Sequence, residues 1–453
     1  MMHNNSSFRS GTQRYWFIVS FLLLLQTSVS QAADIFVNVQ PGLIGCDLVE
    51  AIESANTNSA VGGCAAGSVG QDTIRFFAGF TRYELPDFVF SNTAGSSGTP
   101  EISSEIRIIG PGVEPMVIAR PASQGDIYRA FTVSFTGDLI LENLSIQDFG
   151  QSSGLSGGAI RVSGDLSMNN VEIADSSADF GGAIWVQGGS AVIRNSLIRD
   201  NSAAQHGGGI GLSSPSEVRV YDSTISNNYS GGRGGGISLA VAPDSSLSLL
   251  NTTITENSAD NRGGGLYLYM GESSIKNSAV IRNTIISGNT APISKEVHLV
   301  NPESASGLDI RNNVLGTSAN TYGESVNTLH FLVNDNIALT QGANATPLRS
   351  ILGPLADNGG KTMTHALVPN SPAIDVGLQS FVSGGAPFIF TNPGCRGETI
   401  AIGLVLSDYR PDQRGVVRPV GNECDIGAYE YEPSDDTCYV VKTMNNKAVT
   451  FCL

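Results

Sequence analysis

Four carboxylates recur at one position of a repeated phrase, and acids at a fixed repeat could do two kinds of chemistry. Asp148, Asp175, Asp200 and Glu256 each stand two residues after the aliphatic residue of a phrase Asn-x-x-Ile, which begins at Asn143, Asn170, Asn195 and Asn251. Asn227 and Gly288 hold the same position in two further copies, which begin at Asp222 and Asn283. A file of hard oxygen ligands suits calcium, so these four residues are candidate ligands. A glycosidase needs two positioned carboxylates, and a lyase adds a basic proton acceptor. Arg194, Arg199, Arg219, Arg233 and Arg262 lie in the region, but neither an Arg-x-Lys nor a Gly-His-Gly pattern accompanies them. His206 precedes a glycine corner and reads as an exposed turn residue. No Cys/His cluster has zinc-ligand spacing. The competing reading is a solvated ladder of turn residues, in which acids one repeat apart repel by roughly 0.9 kcal/mol in water. No catalytic residue is assigned.

The elements that position these acids follow from the repeat. A second phrase, Gly-Gly-x-aliphatic, ends at Ile160, Ile184, Ile210, Ile237 and Leu266, a period in the twenties that lengthens along the chain. Each repeat holds about three short β-type runs, such as Ala191-Val192-Ile193 and Leu247-Ser248-Leu249-Leu250. Three strands per period describe one turn of a right-handed parallel β-helix, an all-β solenoid of the pectate-lyase-like kind. Each coil buries its apolar face only against its neighbours. About eight or nine coils are expected over residues 101–345. The glycines then shape corners where φ is positive. Three residues after Ile173, Ile198, Ile225, Ile254 and Ile286 of the first phrase come Ser176, Asn201, Asn228, Asn257 and Asn289, which predict a vertical ladder of amide hydrogen bonds.

Composition supports an exported chain. Of 453 residues, 53 are Gly and only 15% are charged, which fits turn-dense β structure. Arg9 and Arg14 precede an apolar run from Tyr15 to Leu25, and Ser30-Gln31-Ala32 offers a cleavage site, so residues 1–33 read as a signal peptide. An uncleaved anchor is the rival reading; after cleavage no transmembrane anchor is expected. The net charge of −16 becomes −18 without that segment, which argues against nucleic-acid partners. Six Cys in an exported chain suggest disulfides. The proposed pairs, chosen by proximity alone, are Cys46 with Cys64, Cys395 with Cys424, and Cys438 with Cys452.

Beyond the repeats, Cys46 to Asn56 predicts a short helix with Leu48, Ile52 and Ala55 on one face. Asp47 and Glu50 stand in capping-box spacing. The stretch Cys46-Asp47-Leu48-Val49-Glu50-Ala51-Ile52 resembles the CSLREA domain of exported bacterial β-helix proteins, with Asp47 in place of Ser and Val49 in place of Arg. The paired repeat phrases resemble those of the chlamydial polymorphic outer-membrane proteins, with Ile where Phe is usual. Leu352-Gly353-Pro354-Leu355-Ala356-Asp357-Asn358-Gly359-Gly360, Ser371-Pro372-Ala373-Ile374-Asp375, Asp412-Gln413-Arg414-Gly415 and Cys424-Asp425-Ile426-Gly427-Ala428-Tyr429-Glu430 resemble the choice-of-anchor Q domain. Asp412 with Arg414, and Asp425 with Arg418, read as a structural ion-pair network. In the last segment an antiparallel hairpin would set Tyr439 opposite Phe451 and Val441 opposite Val449.

The expected organisation is a signal peptide at 1–33, a helix-bearing cap at 34–100, β-helix repeats at 101–345, a C-terminal module at 346–432 and a disulfide hairpin at 433–453. The resemblances imply a secreted or surface protein of a bacterium and imply no reaction. The expected function is adhesin-like binding of an extracellular glycan or protein. A polysaccharide lyase or glycoside hydrolase and a structural envelope spacer are the alternatives.

Overall fold

The computed structural model describes residues 32–301, with short breaks at 86, 88–89, 93–94, 113–115, 123–126, 214, 240–243 and 273–274, and residues 307–316, 347–377, 411–421 and 423–432. For strands at 337–338, 380–382, 391–393, 439–442 and 448–451 it describes the backbone. All but the last two residues of the expected signal segment lie outside these, as do Cys395, Cys438 and Cys452.

Four vertical sheets of parallel strands build a β-helix. The first runs through Asp165–Ala174, Ser190–Arg194, Glu217–Tyr221, Ser246–Leu250, Ser278–Arg282 and Gly307–Arg311. The second holds Leu197–Arg199, Thr224–Ser226, Thr253–Thr255, Ile285–Ser287 and Val314–Leu315. Asp138–Gln147 and Asp165–Ala174 pass through the bend between these two sheets and join them. The third stacks seven strands: Phe131–Val133, Ile160–Val162, Ile184–Gln187, Ile210–Ser213, Ile237–Leu239, Leu266–Tyr269 and Val297–Val300. A small fourth sheet, Ser177–Phe180 to Ser258–Ala259, lies between the second and third in chain order.

Among the described residues about seven complete coils therefore form, where eight or nine are expected over 101–345. The early strands Asp34–Val37, Asp72–Phe76 and Glu105–Ile109 extend the first sheet, but the third begins only at Phe131.

Alternation of side chains decides the core. Ile173, Ile198, Ile225, Ile254 and Ile286 stack in register and are buried, as are Ile160, Ile184, Ile210, Ile237 and Leu266 on the third sheet. Burying each such side chain contributes about 1.5–3 kcal/mol. One repeat shows why the glycine phrase recurs. Gly234 has φ of 66°, and a Cβ on Gly235 would lie 2.3 Å from the Ser258 carbonyl oxygen and 2.4 Å from that of Gly264. Gly236 is less tightly enclosed, with 2.8 Å to the Gly265 oxygen, and the equivalent residue is Ala in Ala159 and Ala183.

The asparagine ladder forms as expected. Asn228 Oδ1 accepts from Asn201 N and Nδ2 at 3.1 and 3.0 Å, and Asn257 Oδ1 accepts from Asn228 N and Nδ2, both at 2.9 Å. The next coil repeats the pattern between Asn257 and Asn289. Glu296 ends it. This residue takes the place of Gly265 in the following coil, and its carboxylate accepts from Asn289 Nδ2 at 2.7 Å, Asn289 N at 3.2 Å and Gly288 N at 3.1 Å. Burial pushes its carboxyl up to about 7, against the pull of those donors.

A helix over Leu48–Thr57 covers the first coil, with both bonds of the capping box between Asp47 and Glu50. Leu48, Ala51, Ile52 and Ala55 join the core, and the Cys46–Cys64 disulfide closes the segment.

Later in the chain, residues 347–377, 411–421 and 423–432 lie along the outer face of the second sheet. Ile351, Leu352, Leu367, Ala373 and Ile426 bury Ile285 and Val314 there. His365 Nε2 meets Ser226 Oγ at 2.9 Å, Ala428 N donates to Thr253 Oγ1 at 3.0 Å, and Gly427 N donates to the Asn283 carbonyl at 2.9 Å. Asp412 pairs with Arg414 at 2.6 Å as expected. Arg418 differs in detail. It donates to the Asp425 carbonyl, sits 3.5 Å from Glu430 and reaches Asp222 of the β-helix at 3.8 Å. The Asp425 carboxylate instead accepts from the backbone N–H groups of Asp375 and Tyr431. Cys424 is disulfide-bonded. The terminal strands Tyr439–Lys442 and Ala448–Phe451 pair antiparallel, with Tyr439 opposite Phe451 and Val441 opposite Val449.

A candidate binding notch beside the third sheet

The acidic file occupies one corner of the coil. Asp148, Asp175, Asp200, Asn227, Glu256 and Gly288 all have positive φ, between 54° and 81°. Asn, Asp and Gly adopt that conformation most readily, so the corner accounts for most of the residue types. The counter-charge comes from the chain itself. Arg199 lies 2.6 Å from Asp200, 2.6 Å from Glu172 and 4.0 Å from Asp175. Asn227 Nδ2 donates to Asp200, and Glu256 lies 3.9 Å from His365, which burial keeps neutral and which therefore adds no counter-charge. Burial and the neighbouring Asp200 and Asp148 raise the Asp175 carboxyl, while Arg199 opposes them. Among the described residues no three His, Cys, Asp or Glu side chains converge as a metal-ion site.

An open concavity lies elsewhere, where the third sheet turns into the first. The connection runs from the last inward residue of the third sheet to the first inward residue of the first sheet. It is shortest at Val162–Leu166 and Val186–Ala191, and longer at Val133–Leu139 before them and at Leu212–Val218 and Leu239–Leu247 after them. Two tight corners, Ser163-Gly164 and Gly188-Gly189, thus lie between wider ones. They leave a notch of about 470 Å³.

The tight corners need their glycines. A Cβ on Gly164 would lie 2.2 Å from the Gly137 carbonyl oxygen, and one on Gly189 would lie 2.1 Å from that of Gly164. A Cβ on Gly188 would meet nothing within 4 Å, so this residue opens into the notch.

Phe135, 83% exposed, forms one wall, and Pro215 and Asp244 form the other. Asp165 and Glu217 point from the strand starts, with Ser190 between them in the same file. Ser190 Oγ donates to Asp165, and Arg219 pairs with Glu217. Asp138 continues the file one coil below, and burial together with Asp165 and Glu105 raises its carboxyl. The notch is therefore electronegative, with hydroxyls on its floor and one bare aromatic ring. Its size suits a small ligand. A ring-shaped polyol could lay its C–H face on Phe135 and donate hydroxyls to Asp165, Glu217 and Asp244.

Sequence reasoning missed this site. The phrases that recur revealed the solenoid, whereas the notch is written in the unequal spacing between them.

His206 also departs from expectation. It is half-buried at the end of the strand Ser202–His206, with Phe180 at 5.8 Å between ring centroids. The fourth sheet brings it into a wall that sequence spacing alone placed at an exposed turn.

A family model described as a right handed beta helix region matches residues 130–328. That span overlaps the stacked coils of the described residues, whose fold is a right-handed parallel β-helix. No curated protein matches the chain. No helix among the described residues is long and apolar enough to cross a membrane.

Proposed function

We propose that this chain is an exported bacterial binding protein, adhesin-like, whose notch holds a sugar unit of an extracellular glycan. The observation that carries this reading is the bare ring of Phe135 at an open notch of about 470 Å³ that hydroxyl and carboxylate side chains also line. Aromatic rings supply a flat apolar surface, and carboxylates accept the strongest hydrogen bonds from hydroxyl donors. Export is supported by the N-terminal apolar segment and by disulfide chemistry, which persists in oxidising compartments. The module along the second sheet would leave this edge free for a ligand. Surface attachment through the C-terminal segment is part of the same proposal.

The electronegative wall favours neutral or amine-bearing sugars over acidic ones. Isothermal titration with chito-oligosaccharides, which carry protonated amines, and with galacturonate oligomers tests this. Binding of the first and its loss by about tenfold in Phe135→Ala, or about 1.4 kcal/mol, is the expected result. Equal binding of the chito-oligosaccharides by the variant, or galacturonate binding that Phe135→Ala weakens to the same degree, defeats the reading. Release of reducing or unsaturated ends would point instead to a hydrolase or lyase.

A further inference from the structure

Arginines line the opposite edge of the third sheet. Isolated parallel bridges align His206 with Arg233 and Arg233 with Arg262, one residue per coil, immediately before the glycine corners. Phe180 precedes this file through its pairing with His206. Beside it, the outward file of the third sheet runs Trp185, Gly211, Ser238, Tyr267 and His298.

The two files are locked together. The Arg233 guanidinium lies 5.0 Å from the centre of the Tyr267 ring and donates to its hydroxyl at 2.9 Å, and Tyr267 stacks on His298 at 5.5 Å. No carboxylate pairs with Arg233 among the described residues. Ser238 Oγ and His206 Nδ1, both buried at this edge, have no hydrogen-bond partner. Ser238 is fully buried, and its outward place in the register sets it between Gly211 and Tyr267.

We propose that this stripe is a second binding site, which takes a polysaccharide bearing sulfate or carboxylate groups. A chain of net charge −16 gathers half-buried arginines on one edge, and one of them lacks an acidic partner. Coils repeat at about 4.8 Å, comparable to the advance of one sugar unit along an extended polymer, so successive anionic groups can meet successive coils. The planar guanidinium fork matches both anions. Burial and the adjacent arginines hold His206 and His298 neutral, so the arginines carry the charge at neutral pH. Ser238 Oγ offers an unused donor at the floor.

Dextran, carboxymethyl-dextran and dextran sulfate share one backbone and differ in charge, so they are suitable immobilised probes. The full chain is expected to bind the two charged forms, with log affinity falling as log salt rises, and to bind them more tightly than neutral dextran, whose binding the arginine variants leave unchanged. Arg233→Ala with Arg262→Ala should weaken binding at least tenfold and flatten the salt slope. Arg262→Gln alone leaves the Arg233–Tyr267 contact in place and should cost severalfold, which keeps the test open if the double variant does not fold. Phe135→Ala should leave this binding unchanged. Unaltered affinity in the arginine variants, equal binding of neutral dextran, or duplex DNA bound as tightly as dextran sulfate would overturn the proposal.

Discussion

Gln413 and Thr224 meet in a buried hydrogen bond of 2.6 Å across 189 residues of sequence. Thr224 presents its hydroxyl from the outer face of the second sheet, and Gln413 also donates to Thr362 Oγ1 at 2.9 Å. The pair joins the C-terminal module to the middle of the β-helix. Gln413→Leu leaves the Thr224 and Thr362 hydroxyls buried without that partner, so a loss of about 1–3 kcal/mol is expected. Hydrogen exchange should show the loss as faster exchange in residues 352–367 than in the third sheet. Uniform exchange across both would contradict a local docking role.

Asn257 accepts from one coil, donates to the next and also bonds the Ile225 carbonyl. Asn257→Ala removes these bonds and leaves the buried Asn228 backbone N–H without its acceptor. A loss of about 2 kcal/mol or more is expected, read as a lower urea midpoint with an unchanged slope. A change under about 0.5 kcal/mol, typical of open surface sites, would show that the ladder is decorative.

Glu296 supplies a pH signature. Its carboxyl is raised to about 7 in the fold from an ordinary value of 4.5. The unfolded chain therefore ionises first as pH rises, and the native state loses stability between those two values. Above about 7 both states are ionised and this contribution is flat. Comparing stability against pH for the natural chain and Glu296→Gln isolates the group from others that titrate. The difference should slope between pH 4.5 and 7; a flat difference would show that Glu296 is charged throughout.

Arg199 holds Glu172 and Asp200 and approaches Asp175. Arg199→Ala removes that positive charge. Millimolar calcium should then raise the melting temperature of the variant by more than that of the natural chain. Equal shifts would show that the arginine is not what occupies the place of a cation.

Much of the fold was legible because solenoid sequences repeat their physics. Ile198, Ile225 and Ile254 recur at one place in the coil and stack in the structure, as do Asn201, Asn228 and Asn257. The helix at Leu48 was equally plain from its capping box. The sites were not. The acids at Asp148, Asp175 and Asp200 share a periodic corner, which made them conspicuous, yet left-handed backbone explains their recurrence. Phe135 and Asp244 occur once each, in corners that break the period. Arg233 and Arg262 do recur, but their proximity to Tyr267 and His298 depends on how the fourth sheet meets the third.

The C-terminal module also acts as a gauge. Lys361 reaches the Gly112 carbonyl, Thr362 that of Asn195, Ala428 the Thr253 hydroxyl, and Asn312 donates to Val376. These contacts are fixed to particular coils. A duplicated repeat, such as the segment from Ile210 to the residue before Ile237, would stack well and extend the asparagine ladder. Yet it would carry Thr253 one coil, about 4.8 Å, away from its partner. The overlying segment thus makes coil number a counted quantity, in a fold whose repeats alone would tolerate any number.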